Sequence, residues 1–471
     1  MVATDTAATR GPVWAAYLFL LSLLVAIHLK VGTVVLMPHR IILLVLFVPF
    51  FLKLFVLRSS GPVRAFDWLL FASALWAGVA LVVNHPVSMI VEPFGIHMLE
   101  FFGAYLIARV SIRSAAAFRR VVVVFFVMIC LLLPFAAVES ITHRPVLLEI
   151  LPGTSVLPLD IGVRMGMRRA QAVFAHPILY GIFVSTGLGL FWYALRPRWL
   201  KFPAVPIVAV ATIFSLSTGA LISLVVQSIF IGWETIMKTL KLRWRLFLVL
   251  FAIAYVGIDL LSNRSPFHVL VSYASFNSGS AYGRILIWRF GIDNVWENPV
   301  FGLGLRDWVR PSWKSPSIDN FWLFLAMFYG LPKFALVFTA FFQIVRQVAR
   351  TELTDPGDQL ARAGYLVAFG GLFIAGGTVH YWHAMMAFVM FIFGSGVWTV
   401  TGGAVQTDRH REMPPDAPRA SRYTRQPVRG EPIGAATRGT VYNRQPLARS
   451  GDLVTNGGEG AGKATFPRPK R

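Results

Sequence analysis

Val121-Val-Val-Val-Phe-Phe-Val-Met-Ile-Cys-Leu-Leu-Leu-Pro134 is an unbroken apolar run, and it continues to Val138. A helix of that length crosses about 30 Å of hydrocarbon. A barrel strand would alternate apolar and polar residues over about ten positions. This run does not alternate, so it reads as a transmembrane helix. The rest of the chain agrees. Of its residues, 56% are hydrophobic and 14% are charged, against a usual charged share of about 25%. The single cysteine, Cys130, lies inside the run, which excludes an intrachain disulfide and a cysteine-based metal cluster.

Working outward, apolar stretches recur at 13–29, 36–57, 66–83, 89–108, 121–138, 177–195, 203–216, 218–237, 246–262, 320–345, 363–379 and 384–402. The expected fold is all-α: a polytopic integral membrane protein of about 12 transmembrane helices. Glu92, His97 and Glu100 make the fourth stretch the least apolar. Arginines and lysines gather after the even-numbered spans, as at Arg109, Arg119, Arg198, Lys238 and Arg346. Basic loops stay on the cytoplasmic side, so both termini are expected to be cytoplasmic. The first span lacks a small-residue cleavage site and reads as a signal anchor. A large outward-facing loop then joins spans nine and ten, and another runs over 139–176. Both carry arginines that topology does not call for, and an anionic ligand would account for them. Two regions result: a membrane domain over 1–402 and a basic, Pro- and Gly-rich tail over 403–471, expected to be disordered.

The net charge of +22 is scattered between apolar spans. It therefore points to membrane topology rather than nucleic acid. The chain has no P-loop, no Asp-x-Asp pair and no Cys/His cluster. His380 and His383 have a spacing that can place two metal ligands on one helix face. Their neighbours Tyr381 and Trp382 suit an aromatic interface belt instead.

The loop between spans nine and ten holds the densest pattern. From Tyr282 to Trp296 apolar residues recur at helical spacing, which predicts an amphipathic helix at the membrane surface. Asn298-Pro299 stops it, and Gly302 and Gly304 allow a tight turn. Arg284, Trp288, Pro299-Val-Phe-Gly302-Leu-Gly304, Asp319-Asn320 and Gly330-Leu331 together resemble the signature loop of the O-antigen ligase and O-antigen polymerase superfamily. Arg169-Ala-Gln-Ala-Val-Phe174-Ala-His176-Pro177 is similar to that family's arginine-rich stretch, and Ser215-Leu-Ser217-Thr218-Gly219 to its short outer turn. The sequence departs from the family twice. Asp319 stands where ligases have His, and Thr218 where the outer turn has Arg. Both departures place it nearer the exopolysaccharide-polymerase branch.

The resemblance implies a glycosyltransferase of the bacterial inner membrane. It would move an oligosaccharide from undecaprenyl diphosphate to an acceptor hydroxyl at the periplasmic face, with no cofactor or metal. Membrane lipid and other polysaccharide assembly proteins are the implied partners. The leaving diphosphate concentrates negative charge, and arginine pairs phosphate oxygens through a planar fork. Arg284 is the first choice for this role, with Arg168, Arg169 and Arg306 as further anion ligands. Asp319 is the expected general base, although Asp is also a common helix N-cap. Asn320 would orient sugar or phosphate. Trp288, and with it Trp308 and Trp313, could stack on sugar rings. Two rival readings remain at this point: a transporter or lipid-linked glycan flippase, and a non-catalytic subunit of a polysaccharide assembly complex.

Overall fold

The protein was analysed as a computed structural model that describes residues 11–31, 34–150, 162–263, 269 and 278–401. The tail expected over 403–471 lies outside the described residues. Helices dominate. The exceptions are two short antiparallel hairpins, Leu29–Val31 with Val34–Leu36 and Val163–Arg164 with Met167–Arg168.

Among the described residues, nine helices are long and apolar enough to cross a membrane. Each of the twelve expected stretches holds a helix, and three differ from the other nine in length or apolarity. Val13–Ser22 has 10 residues and Lys201–Phe214 has 14. Pro356–Ala375 has 20, but Asp358, Gln359 and Arg362 dilute its first turns. Hydropathy registers apolar composition; it does not see where a helix begins or ends.

The spans differ widely in burial. The window Ala384–Thr401 is 94% buried and Pro177–Ala194 is 89% buried, whereas none of Arg243–Leu261 is. Charges inside the bundle are partnered, as low dielectric requires. Arg109, read from the sequence as a loop arginine, is 1% exposed and pairs with Asp67 at 3.2 Å. Arg40 pairs with Glu100 at 2.7 Å. Lys333 donates to the Ser73 carbonyl at 2.9 Å and lies 2.8 Å from His97 Nε2.

Two helices frame the loop that carries the site. The first, Ser278–Glu297, will be called the site helix. It buries Arg284, Ile287, Gly291 and Asn294, a spacing that puts them on one face. The second, Phe321–Arg350, will be called the kinked helix, because Gly330 interrupts it with φ 83° and ψ 167°. Asn320 starts it: its side-chain oxygen accepts from the Leu323 N–H at 2.9 Å, which satisfies an otherwise orphaned donor.

The Pro299–Gly304 turn docks on that kink. Leu303 N–H donates to Met327 O at 2.8 Å, Gly304 N–H to Phe328 O at 2.9 Å, and Leu331 N–H to Pro299 O at 2.8 Å. Gly302 and Gly304 have φ near +65°. A Cβ on Gly302 would sit 2.6 Å from the Met327 carbonyl oxygen. The glycines thus serve close backbone approach as well as turning. Gly330-Leu331, a bare motif in the sequence, is the other half of the same joint. Around it Ile287, Val295, Leu303, Trp308, Ile318, Leu323, Ala326 and Met327 form a second apolar core, distinct from that of the bundle.

Gly330→Ala should be severely destabilising. The dihedral alone costs about 1–3 kcal/mol for a residue with a side chain, and the new Cβ would overlap the Val300 carbonyl. Thermal unfolding in detergent should show a lower melting temperature, and a melting temperature equal to wild type would refute the joint.

Candidate active site

Arg164, Arg169, Ser217, Thr218, Arg284, Lys314 and Asp319 converge on one cavity of about 120 Å³, closed on its apolar side by Ile178 and Ile287. Four cationic side chains face one carboxylate. The convergence draws on four parts of the chain: the Val163–Arg168 hairpin and its exit, the turn before the Thr218–Ile236 helix, the site helix, and the loop leading to Asn320.

Each part is held by identifiable contacts. Glu139 organises the arginine-rich stretch. Its carboxylate accepts from the Gln171 N–H at 3.2 Å and the Ala172 N–H at 2.9 Å, and it pairs with Arg168 Nε at 3.5 Å. Ala170 N–H donates to Phe214 O at 2.8 Å. Arg168 is thereby committed to Glu139, while Arg169, the next residue, lines the cavity. Arg164 donates through Nη1 to Leu216 O at 3.0 Å, which fixes it against the Ser215–Gly219 turn.

The electrostatics favour an anion. Arg169 is 8% exposed, and its Nε has no hydrogen-bond partner among the described residues. Burial, with nearby Arg164, lowers its pKa to about 10, and Asp319 opposes the shift. Burial also lowers the pKa of Arg284, again against the pull of Asp319. Lys314 is lowered by burial as well. Desolvated cations of like sign repel one another, and a bound anion would relieve both penalties. The Thr218 hydroxyl, 3% exposed, also lacks a partner among the described residues. His176 stands behind Arg169. Burial, then Arg169 and Arg164, bring its pKa to about 4, so it is neutral near pH 7. Its Nδ1 accepts the Ile178 N–H at 3.2 Å and caps the Pro177–Ser185 helix.

Asp319 is half-buried and accepts a hydrogen bond from Ser317 Oγ at 2.9 Å. The capping role considered for it falls to Asn320, which leaves the Asp319 carboxylate at the cavity. Asn320 is correspondingly occupied, since its Nδ2 also donates to Gly377 O at 2.9 Å.

Of the residues singled out from the sequence, Arg284, Arg169 and Asp319 come together. Arg168, Arg306, Asn320 and Trp288 are not among those lining the cavity. Arg306 ties its loop to the end of the Ala65–Asn84 helix through Asn84 Oδ1 at 2.8 Å. Trp288 packs against the second core. Trp308 belongs to that core and donates to Pro316 O at 3.0 Å, while Trp313 is exposed. Arg164 and Lys314 were not selected from the sequence; their only signal was excess basic charge in the loops expected to face outward. His380 and His383 do not share a helix face, because residues 379–382 are not helical. Among the described residues no group of three or more His, Cys, Asp or Glu could hold a metal ion.

Residues 202–338 match the family model described as O-Antigen ligase. The match supports the O-antigen ligase and polymerase superfamily for this chain. It takes in Ser217, Thr218, Arg284, Lys314 and Asp319, while Arg164 and Arg169 lie before it. No curated protein matches the chain. The apolar helices support a multi-pass membrane protein, and the matched segment supports a general O-antigen ligase or polymerase type of function.

Proposed function

We propose that the protein transfers a glycan from a polyprenyl diphosphate carrier, undecaprenyl diphosphate in a bacterial inner membrane, to an acceptor hydroxyl at the periplasmic face. The observation that carries this reading is the cavity itself: Arg164, Arg169, Arg284 and Lys314 around Asp319, overlapping the matched family segment.

The chemistry is a displacement at the anomeric carbon. The acceptor oxygen forms a bond to that carbon. The bond from the carbon to the diphosphate oxygen breaks, and its electron pair leaves with the diphosphate. The acceptor proton passes to the Asp319 carboxylate, which acts as general base. Negative charge grows on the departing diphosphate. Guanidinium groups already fixed and desolvated around it stabilise that charge without reorganising in the transition state. Arg284 and Arg169 offer planar forks, and Lys314 a point charge. The Arg164 guanidinium, held at the Ser215–Gly219 turn, supplies positive charge beside Thr218, where the family pattern has arginine.

Deletion of the gene, followed by size-resolved separation of surface and secreted polysaccharide, tests the reading. Loss of long chains with single repeats left on the lipid carrier marks a polymerase. Full-length chains stranded on the carrier mark a ligase. An unchanged profile would overturn the proposal.

A further inference from the structure

Beside the cationic cavity lies a second one of about 270 Å³, lined by Pro316, Ser317, Ile318, Phe324, Phe328, His380 and Trp382. It carries no charged side chain, and its one titratable group is the His380 imidazole. Its walls are ring faces: Phe324 stacks on Phe328 at 4.6 Å between centroids and meets His380 at 3.9 Å, and His380 stacks with Trp382 at 5.8 Å. One hydrogen bond links the two cavities. Ser317 lines the aromatic cavity, and its hydroxyl donates to Asp319, which lines the cationic one.

We infer that the aromatic cavity binds an uncharged pyranose ring of the acceptor glycan and presents one of its hydroxyls to Asp319. This rests on the transfer reading above and names the second substrate's subsite. A sugar ring has apolar C–H faces and a polar rim, and aromatic walls with few polar groups suit the faces. The rim needs hydrogen bonds. His380 makes no side-chain hydrogen bond among the described residues; its Nδ1 is closed off, so the imidazole reaches the cavity through Nε2, and burial keeps it neutral with its pKa near 3. It is a free acceptor for a sugar hydroxyl or, in the other tautomer, a donor to one. The Ser317 hydroxyl stands at the opening towards the carboxylate. An isoprenoid chain would use the apolar walls but leave His380 unsatisfied, so the sugar is favoured.

The test uses full-length protein in lipid nanodiscs. Two probes are titrated separately: an uncharged oligosaccharide fraction cut from the producing cell's own polysaccharide, and inorganic pyrophosphate. Trp382→Ala should weaken oligosaccharide binding tenfold or more and leave pyrophosphate binding within twofold. Trp382→Phe, which keeps a ring face, should recover most of the loss. His380→Phe, which keeps the stack but removes Nε2, should weaken the oligosaccharide several-fold. Oligosaccharide affinity unchanged in Trp382→Ala would overturn the inference. So would farnesol binding that depends on Trp382 in a protein that binds no oligosaccharide. If Trp382→Ala loses both probes through misfolding, His380→Phe decides, and unchanged affinity there sinks the inference. Trp382-dependent sugar binding without any pyrophosphate binding would keep this subsite and refute the diphosphate reading instead.

Discussion

Arg284→Ala should lower the rate of glycan transfer by about 10²–10³-fold, roughly 3–4 kcal/mol of transition-state stabilisation. The side chain is 9% exposed and lines the cavity beside Asp319. Removing it takes away a fixed donor aimed at the developing charge. It should not unfold the protein, because the neighbouring apolar positions of the site helix, Ile287 and Val295, keep their place in the second core. Arg284→Lys separates charge from geometry. Lysine keeps the positive charge but not the bidentate fork, so it should recover only part of the rate. Transfer measured in membrane vesicles at matched protein levels checks both variants. Full activity in Arg284→Ala would remove this residue from the mechanism.

The second large effect is expected at Asp319. Asp319→Asn preserves shape and can still accept the Ser317 hydrogen bond, but it cannot take a proton at neutral pH. General-base catalysis is worth about 10²–10⁴-fold, and the transfer rate should fall by that order. Pyrophosphate affinity should rise or stay level, since one negative charge has left a cavity of four cations. A rate within a few-fold of wild type would assign proton removal to another group. Lower pyrophosphate affinity would show that the carboxylate organises the cations rather than opposing them.

Much of this arrangement was legible in the residues because it is carried by their types. Arginines in loops expected to face outward have no topological reason to be there, and Arg169 and Arg284 line one cavity. What sequence could not resolve was direction. Arg168 and Arg169 are adjacent and chemically identical, yet Glu139, some 30 positions earlier, claims only the first as a partner. Asp319 and Asn320 both suit a helix start, and the backbone made Asn320 the cap. Arg284 and Trp288 stand one turn apart, yet the arginine lines the cavity and the tryptophan packs into the second core. Arg164 sits in a four-residue-wide hairpin that has no periodicity to read. Among the described residues, nine of the twelve expected stretches hold helices both long and apolar enough to span. Window hydropathy registers composition, whereas Val13–Ser22 and Lys201–Phe214 are limited by length.

The glycine that interrupts Phe321–Arg350 has a mechanical consequence. The first nine residues, Phe321–Tyr329, share a core with the site helix and carry the Asn320 cap next to Asp319. Of the twenty that follow, Leu331 and Phe334 still touch that core, while Val337, Ala340, Phe341, Ile344 and Val348 enter the core of the bundle, and Lys333 is held against Ser73 and His97. Backbone hydrogen bonds from Leu303, Gly304 and Leu331 clasp the junction from both sides. One turn, Pro299–Gly304, therefore ties the helix start beside Asp319 to the segment that enters the bundle.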